Sequence, residues 1–475
     1  MTEKRRNLCM FIVCAIATFL ATFNESFLNV AFSSIATSVG VEFGTVQWLA
    51  TAYMLGAAVM VPVSAFLYRK IPTKVLFLSA VACLIIGSVI CIFAKVFVVL
   101  LIGRIVQSLG TGMVYPIAMN ITLEIAPKEH LGIYMGIIGA MITLGSAASV
   151  IFSGLFLSIG DWHLLFYVFG ALAIVLFVLV AIFVWNIAQL TKPKLDVLSV
   201  IMVSLALVGI LYAISTVFQN WWLALIVFAV GITLFILFCI RQNKIPEPLV
   251  NLKPLKILPF SIGVLICMLW MIIVYSINIV LPQYLQTSLG AKPLTASLTL
   301  FPGTVLSCIA EPVAGKIYDK HGFKGLVFTA FSIMIVSTLM LSLCVDMQYV
   351  VISLCYIPII VSASLALGPA QSFALSKLEK KDNPDGVTIL NMGSQIAACI
   401  GTSLFASSYS FVMASITDGN VFGNPNAHYA FWVVGALAIL MGIIGVILSV
   451  VIFRKKQNKN LLEEQKVEEN AQNQQ

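Results

Sequence analysis

The chain has 475 residues, 60% of them hydrophobic and only 10% charged, with a formal net charge of +8 and a mean hydropathy of +1.05. Soluble domains carry about 25% charged residues and must turn a large share of their surface to water. The composition therefore excludes soluble enzymes, nucleic-acid binders and disordered proteins, and specifies an integral membrane protein.

In chain order, Met1-Thr2-Glu3-Lys4-Arg5-Arg6 leads into an apolar run too long for the core of a cleavable signal. It reads as a first membrane helix whose basic start stays inside. A helix needs about 20 mostly apolar residues to cross the hydrocarbon. Segments of that kind lie at 8–35, 45–68, 74–94, 97–121, 132–158, 163–186, 195–217, 221–240, 258–283, 295–316, 324–345, 349–375, 386–413 and 428–453, which makes fourteen spans. Short loops rich in Pro, Gly, Asn and charge separate them, such as Lys253-Pro254-Leu255-Lys256 and Asp382-Asn383-Pro384-Asp385-Gly386. The ten cysteines lie almost entirely in the apolar runs, without metal-ligand or secreted-disulfide spacing, and read as small hydrophobes.

The basic residues fix an expected orientation. With the N-terminus inside, every one of the 27 Lys and Arg except Lys95, Lys292 and Arg104 falls on the cytoplasmic side, as the positive-inside rule requires. Both termini are expected in the cytoplasm of a multi-pass cell-membrane protein.

The loop after span 10, Gly315-Lys-Ile-Tyr-Asp319-Lys320-His-Gly322-Phe-Lys324, aligns with Ser64 to Lys74 after span 2, setting Arg69 on Lys320. Each lies between the second and third helix of a six-helix set, so the chain divides into spans 1–6, a pair 7–8, and spans 9–14. The expected units are 1–190, 191–253 and 254–456, with a disordered cytoplasmic tail at 457–475.

This arrangement and its motifs resemble the major facilitator superfamily, and within it the 14-helix drug:proton antiporters of the EmrB/QacA type. The likeness is carried by Leu28-Asn29-Val30-Ala31, Gln47-Trp48-Leu49-Ala50-Thr51-Ala52-Tyr53-Met54-Leu55, Gly103-Arg104-Ile105-Val106-Gln107, Glu247-Pro248-Leu249-Val250-Asn251-Leu252, Pro282-Gln283-Tyr284-Leu285-Gln286, Phe301-Pro302-Gly303, Pro312 through Lys324, and Asn391 with Gln395. The family's usual span 1 acid falls on Asn24, with Glu25 next to it, and the antiporter Gly-Pro falls on Ser149-Val150. The resemblance implies an all-α fold of two pseudo-symmetric bundles around a central cavity. It also implies proton-driven multidrug efflux by alternating access, with the proton gradient as energy source and no cofactor. Export of one endogenous amphipathic metabolite, lipid-like molecule or signal is the alternative, and a non-transporting membrane sensor a more distant one. The expected partners are a small amphipathic substrate and the bilayer, the expected state a monomer, and no metal or nucleic acid is expected.

Ionisable groups at membrane depth are costly and are functional candidates by default. Only Glu25 and Arg104 lie deep, about 16 Å and 10 Å below the outer surface at 1.5 Å per residue. Glu25 shares a helix face with Asn29, and Arg104 one with Gln107 and Thr111. Three readings of Glu25 and Arg104 stand: a carboxylate that takes and releases a proton as access switches, a permanent ion pair that holds helices together, or no contact between them.

Candidate cavity residues are Asn24, Phe27, Asn29, Gln107, Tyr115, Trp270, Tyr275, Asn278, Asn391 and Gln395, with Phe23 beside them. Gly315, Asp319, Lys320, Gly322 and Lys324 are expected to form a gate loop, with Asp319 at the positive N-terminus of span 11 and the lysines bridging to neighbouring helix ends. Glu311, like Glu124, is expected to salt-bridge that basic side, with a carrier role as the lesser alternative. The first-half copy keeps only cations, so no latch is expected there. Gly132, Gly136, Gly139, Gly145, Ser149 and Ser153 make span 5 a close-packing helix.

Overall fold

The computed structural model describes residues 3–41, 43–46, 48–187, 190, 196–217, 220–245, 248–291, 293–416 and 427–472. The side chains of Asn29, Val150, Lys324 and everything beyond Val450 lie outside the described ones. No water in the hydrocarbon can satisfy backbone N–H and C=O groups, so apolar runs of this length must close their hydrogen bonds internally as helices.

The long helices follow the expected spans: α1 Glu3–Ser26, α2 Trp48–Lys70, α3 Thr73–Ile92, α4 Phe97–Ile125, α5 Leu131–Ile159, α6 His163–Phe183, α7 Val197–Thr216, α8 Trp221–Lys244, α9 Leu258–Thr287, α10 Pro293–His321, α11 Phe323–Leu343, α12 Tyr349–Leu375, α13 Asn383–Ile416 and α14 Ala427–Gln472. Among the described residues, thirteen are long and apolar enough to cross a membrane. The remaining one, α13, spans 34 residues but carries Asn391, Ser394 and Gln395 in its course. No strand occurs among the described residues.

Two departures concern helix ends. Span 1 is expected to run to residue 35, yet α1 stops at Ser26 and gives way to a 3-10 stretch, Phe27–Ala31, before a short helix Phe32–Val39. Such a tightened segment within a span often marks a hinge or functional site. The tail expected to be disordered continues α14 as helix to Gln472. Leu461, Leu462, Glu463, Glu464, Gln465 and Lys466 are all strong helix formers, and they outweigh the tail's polarity.

α1 to α6 pack into one bundle and α9 to α14 into a second, while α7 and α8 pair with each other and α7 leans on α2 and α13. The bundles meet along two seams, α5 against α10 and α12, and α13 against α2 and α4. The outside of the assembly is apolar, with Ile86, Val98, Ile174, Trp222, Ile240, Ile309 and Leu354 exposed, as a lipid-facing surface demands.

Candidate functional site

The break at the end of α1 is held by Arg104. The last carbonyls of a helix have no partner within it, and here the Arg104 guanidinium supplies one. Nη1 donates to the Asn24 carbonyl at 3.0 Å and to its Oδ1 at 3.3 Å, and Nη2 donates to the Glu25 carbonyl at 3.4 Å. Nη1 also donates to Gln107 Oε1 at 3.0 Å, and Gln107 Nε2 passes the chain on to Ser88 Oγ at 2.9 Å. On the other side Asn24 Nδ2 donates to the Tyr53 hydroxyl at 2.9 Å, which bonds Thr111 Oγ1 at 2.5 Å. The guanidinium carbon lies 4.0 Å from the centre of the Tyr53 ring, a cation–π distance.

This network joins α1, α2, α3 and α4, and Arg104 within it is fully buried. Its charge is met by neutral carbonyls, an amide and aromatic faces. Among the described residues no carboxylate lies within ion-pair distance of it. The Glu25 carboxylate, on the same turn, instead accepts from the Tyr115 hydroxyl at 3.3 Å, and that hydroxyl also bonds Thr22 at 2.7 Å. Acid and base are adjacent without being paired.

A second constellation joins the bundles. α10 runs antiparallel to α5, and its residues Glu311, Gly315 and Asp319, four apart, share one face. The Asp319 carboxylate accepts the backbone N–H groups of Gly132 at 2.7 Å and Ile133 at 3.0 Å, capping the positive start of α5. A Cβ on Gly132 would stand 2.5 Å from the Gly315 carbonyl oxygen, and one on Gly136 2.5 Å from that of Glu311. Only glycine permits so close an approach. Above this seat Glu311 Oε1 accepts from Thr143 at 2.7 Å and from Ser364 of α12 at 3.5 Å.

The other seam is tied by Arg69 at the end of α2. It bonds Asp385 Oδ2 at 3.2 Å and the carbonyl of Leu249 at 2.8 Å, while Asn251 N–H donates to Asp385 Oδ1 at 2.9 Å. The polar contacts named above between the bundles, with that of Asn391 to Met119, lie on the half of the molecule nearer the α1 start. The assembly is closed on that face.

A family model described as Major Facilitator Superfamily matches residues 14–402. The chain belongs to that superfamily. It is 33% identical over 415 residues to the lincomycin resistance protein LmrB of Bacillus subtilis (strain 168), covering 86% of each chain. Among solved structures, the human organic anion transporter MFSD10 (TETRAN) superposes with a TM-score of 0.69 at 11% identity, over 94% of this chain and 100% of that one. The proton:xylose symporter XylE does so with a TM-score of 0.65 at 14% identity, over 93% and 95%.

Within this superfamily fold several sequence expectations need correction. Asp319 caps α5 of the opposite bundle rather than α11, its carboxylate taking the Gly132 and Ile133 N–H groups. The first-half loop does latch: Arg69 finds its acid, Asp385, on α13. Glu311 does not bridge to the basic loop; it points into the α5–α10 seam and is 8% exposed. Glu124 accepts from Tyr68 at 3.4 Å and feels the charge of Lys380 without a direct ion pair. Lys320 is exposed, with no carboxylate in ion-pair range among the described residues.

The expected cavity residues divide. Asn24 and Gln107 are spent on Arg104. Phe27 lies in a buried stack with Phe23 and Phe169, and Trp270 is fully buried against Phe331 of α11, ring centres 4.7 Å apart; both are core. Tyr115 bonds Thr22 and Glu25 within the first bundle, and Tyr275 lies on α9 of the second. Asn278 accepts from Tyr356 at 2.6 Å. Asn391 reaches Met119 Sδ across the second seam at 3.5 Å, with half-buried Gln395 one turn on. The side chains of Asn29 and Lys324 lie outside the described ones. Gly322 turns α10 into α11 at φ +79°, a backbone that favours glycine. Sequence reasoning passed over Tyr53, Ser88, Thr143, Ser364 and Asp385 as site residues. Tyr53 lies in a quoted motif and Asp385 in a quoted loop; the small hydroxyls carry no signal until their partners are known.

Proposed function

We propose that this protein is a secondary exporter of the cytoplasmic membrane, moving drug-like amphipathic molecules outward in exchange for protons, and that it falls in the 14-helix drug:proton antiporter branch. The helix pair α7–α8 between two six-helix bundles supports the branch, and likeness to a protein named for lincomycin resistance supports the substrate class. The single observation that carries the coupling is the unpaired adjacency of Glu25 and Arg104. A carboxylate locked in an ion pair cannot exchange a proton cheaply, whereas one held only by a tyrosine hydroxyl can.

In this reading the basic face is cytoplasmic, both termini lie there, and the closed seams make this an outward-facing state. A proton taken by Glu25 from outside removes its charge. Reorientation carries it inward, and substrate arriving beside Tyr115 and Tyr275 from the cytoplasm promotes its release. Arg104 stays fixed throughout and sets the electrostatic background at the α1 break. No resident cofactor or metal takes part, and the monomer in its bilayer is the working unit. Ser149-Val150, where the antiporter pattern has Gly-Pro, favours as a second reading the export of one endogenous amphipathic molecule.

The test is lincomycin efflux from a drug-susceptible bacterial host expressing the protein, with and without a protonophore. Efflux that collapses when the proton gradient is dissipated is the expected result. Efflux unaffected by the protonophore contradicts proton coupling, and no efflux of lincomycin beside export of an endogenous compound favours the second reading.

A further inference from the structure

Glu311 is the one deep carboxylate that the Glu25–Arg104 account leaves unused, and its surroundings are built with unusual economy. It lies on α10 ten residues from the His321 end, about 15 Å into the membrane at 1.5 Å per residue. Oε1 accepts the Thr143 hydroxyl of α5 at 2.7 Å and lies 3.5 Å from the Ser364 hydroxyl of α12, which also reaches the Ile360 carbonyl at 3.4 Å. Ser364 is tied in turn to Ser307 Oγ at 2.5 Å. Oε2 is buried with no hydrogen-bond partner among the described residues. A Cβ on Gly139 would lie 2.6 Å from Oε2, so a glycine on the opposite bundle makes the space that this oxygen occupies.

The groups facing it settle its charge. α5 presents Gly136, Gly139 and Thr143; α12 presents Ser364; α10 itself presents Ser307 and Cys308. None is a cation. A buried carboxylate with no counter-charge beside it among the described residues is too costly to stay ionised, so the closed form holds the neutral acid. With the Thr143 donor on Oε1, Oε2 is the oxygen left free to carry the proton.

The position also makes this site sensitive to the gate. Two of its walls, Gly139 and Thr143, belong to α5, and the same α10 face carries Asp319, whose cap on Gly132 and Ile133 closes the seam below. Parting α5 from α10 removes the Thr143 donor and opens Oε2 to the solvent of the α1-start face.

We propose that Glu311 is a second proton-binding site, loaded from the outer side through the Ser307 and Ser364 hydroxyls while α5 and α10 are closed and discharged to the cytoplasm when they part. The O–H bond at Oε2 breaks, its electron pair stays on the carboxylate, and the proton passes to entering water. This rests on the transport cycle proposed above and adds to it a carrier on the cytoplasmic side of Glu25, timed by the opening of the seam rather than by substrate contact.

The test needs no substrate. Infrared difference spectra of the lipid-reconstituted protein, with buffer pH stepped upward, report the loss of protonated carboxyl groups. The expected result is a carboxyl band absent from Glu311→Gln but retained in Glu25→Gln. In Asp319→Asn, whose seam opens more readily, less of that band remains at a given pH. A spectrum identical in wild type and Glu311→Gln overturns the proton site, and a band indifferent to Asp319→Asn overturns its link to the gate. Where wild-type proteoliposomes exchange lincomycin for protons, Glu311→Gln should halve the protons moved per drug. A wild type that does not move lincomycin counts against the proposed function alone, because the infrared result still decides Glu311.

Discussion

Asp319 Oδ1 accepts the backbone N–H of Gly132 at 2.7 Å although the two residues are 187 positions apart. One carboxylate on the second bundle thereby completes the first turn of a helix in the other. Capping contributes about 1 kcal/mol and the charge at a helix start about 0.3–1 kcal/mol more. Asp319→Asn keeps an acceptor but loses the charge, and Asp319→Ala loses both. Spin labels at Glu129 and Lys377, exposed on either side of this seam, should show a broadened, longer distance distribution, more so for Ala than for Asn. Unchanged distributions in both variants contradict a latch.

Gly315 and Gly325 make an internal contrast. A methyl on Gly315 would overlap the Gly132 carbonyl, whereas nothing lies within 4 Å of one on Gly325. Gly315→Ala should destabilise the protein by about 1–3 kcal/mol, the usual cost of overpacking. Gly325→Ala, in open helix, should be neutral or stabilise it by up to about 1 kcal/mol. Thermal unfolding in detergent measures both, and equal effects contradict the close approach of α5 and α10.

Arg69 and Asp385 should fail asymmetrically. Asp385 is 1% exposed, so Arg69→Gln strands a buried carboxylate, at a cost of about 3 kcal/mol. Asp385→Asn added to Arg69→Gln removes the stranded charge and should recover most of that loss, a coupling that a double-mutant cycle reads directly. Simple additivity contradicts the clamp.

Asp196 predicts a pH dependence. Arg241 bonds its carboxylate at 2.8 Å and 3.1 Å, and with Ser199 holds it down at about 2, below the usual value near 3.9. A depressed acid stabilises the folded state above the unfolded value and loses that contribution as pH falls through the folded one. Wild type should therefore be more stable than Asp196→Asn at neutral pH, and the difference should vanish between about pH 4 and pH 2. Unfolding midpoints across that range check it; a gap independent of pH contradicts it.

How far these features were legible differs for a physical reason. Run lengths and the sidedness of Lys and Arg depend on the solvent alone, so the helix order from α1 to α14 could be read from composition. Arg104 and Glu25 stood out because ionisable groups are rare at depth. Their actual partners depend on which helices touch. Asp319 was expected at a helix start and does cap one, yet nothing local says that the start belongs to α5. Arg69 was dismissed for lack of an acid nearby in sequence, while its acid arrives from α13. Glu311 was assigned to the basic loop by proximity along the chain, whereas the helix turns it onto Gly139.

The central claim is that Glu25 exchanges a proton as access switches. Its most direct test is drug-driven proton movement in proteoliposomes containing wild type or Glu25→Gln, with lincomycin on one side and a pH-sensitive dye on the other. The account predicts full proton flux with wild type, and no more than the half carried by Glu311 with a Glu25→Gln protein that melts at the wild-type temperature. Full coupled exchange by that variant would contradict it.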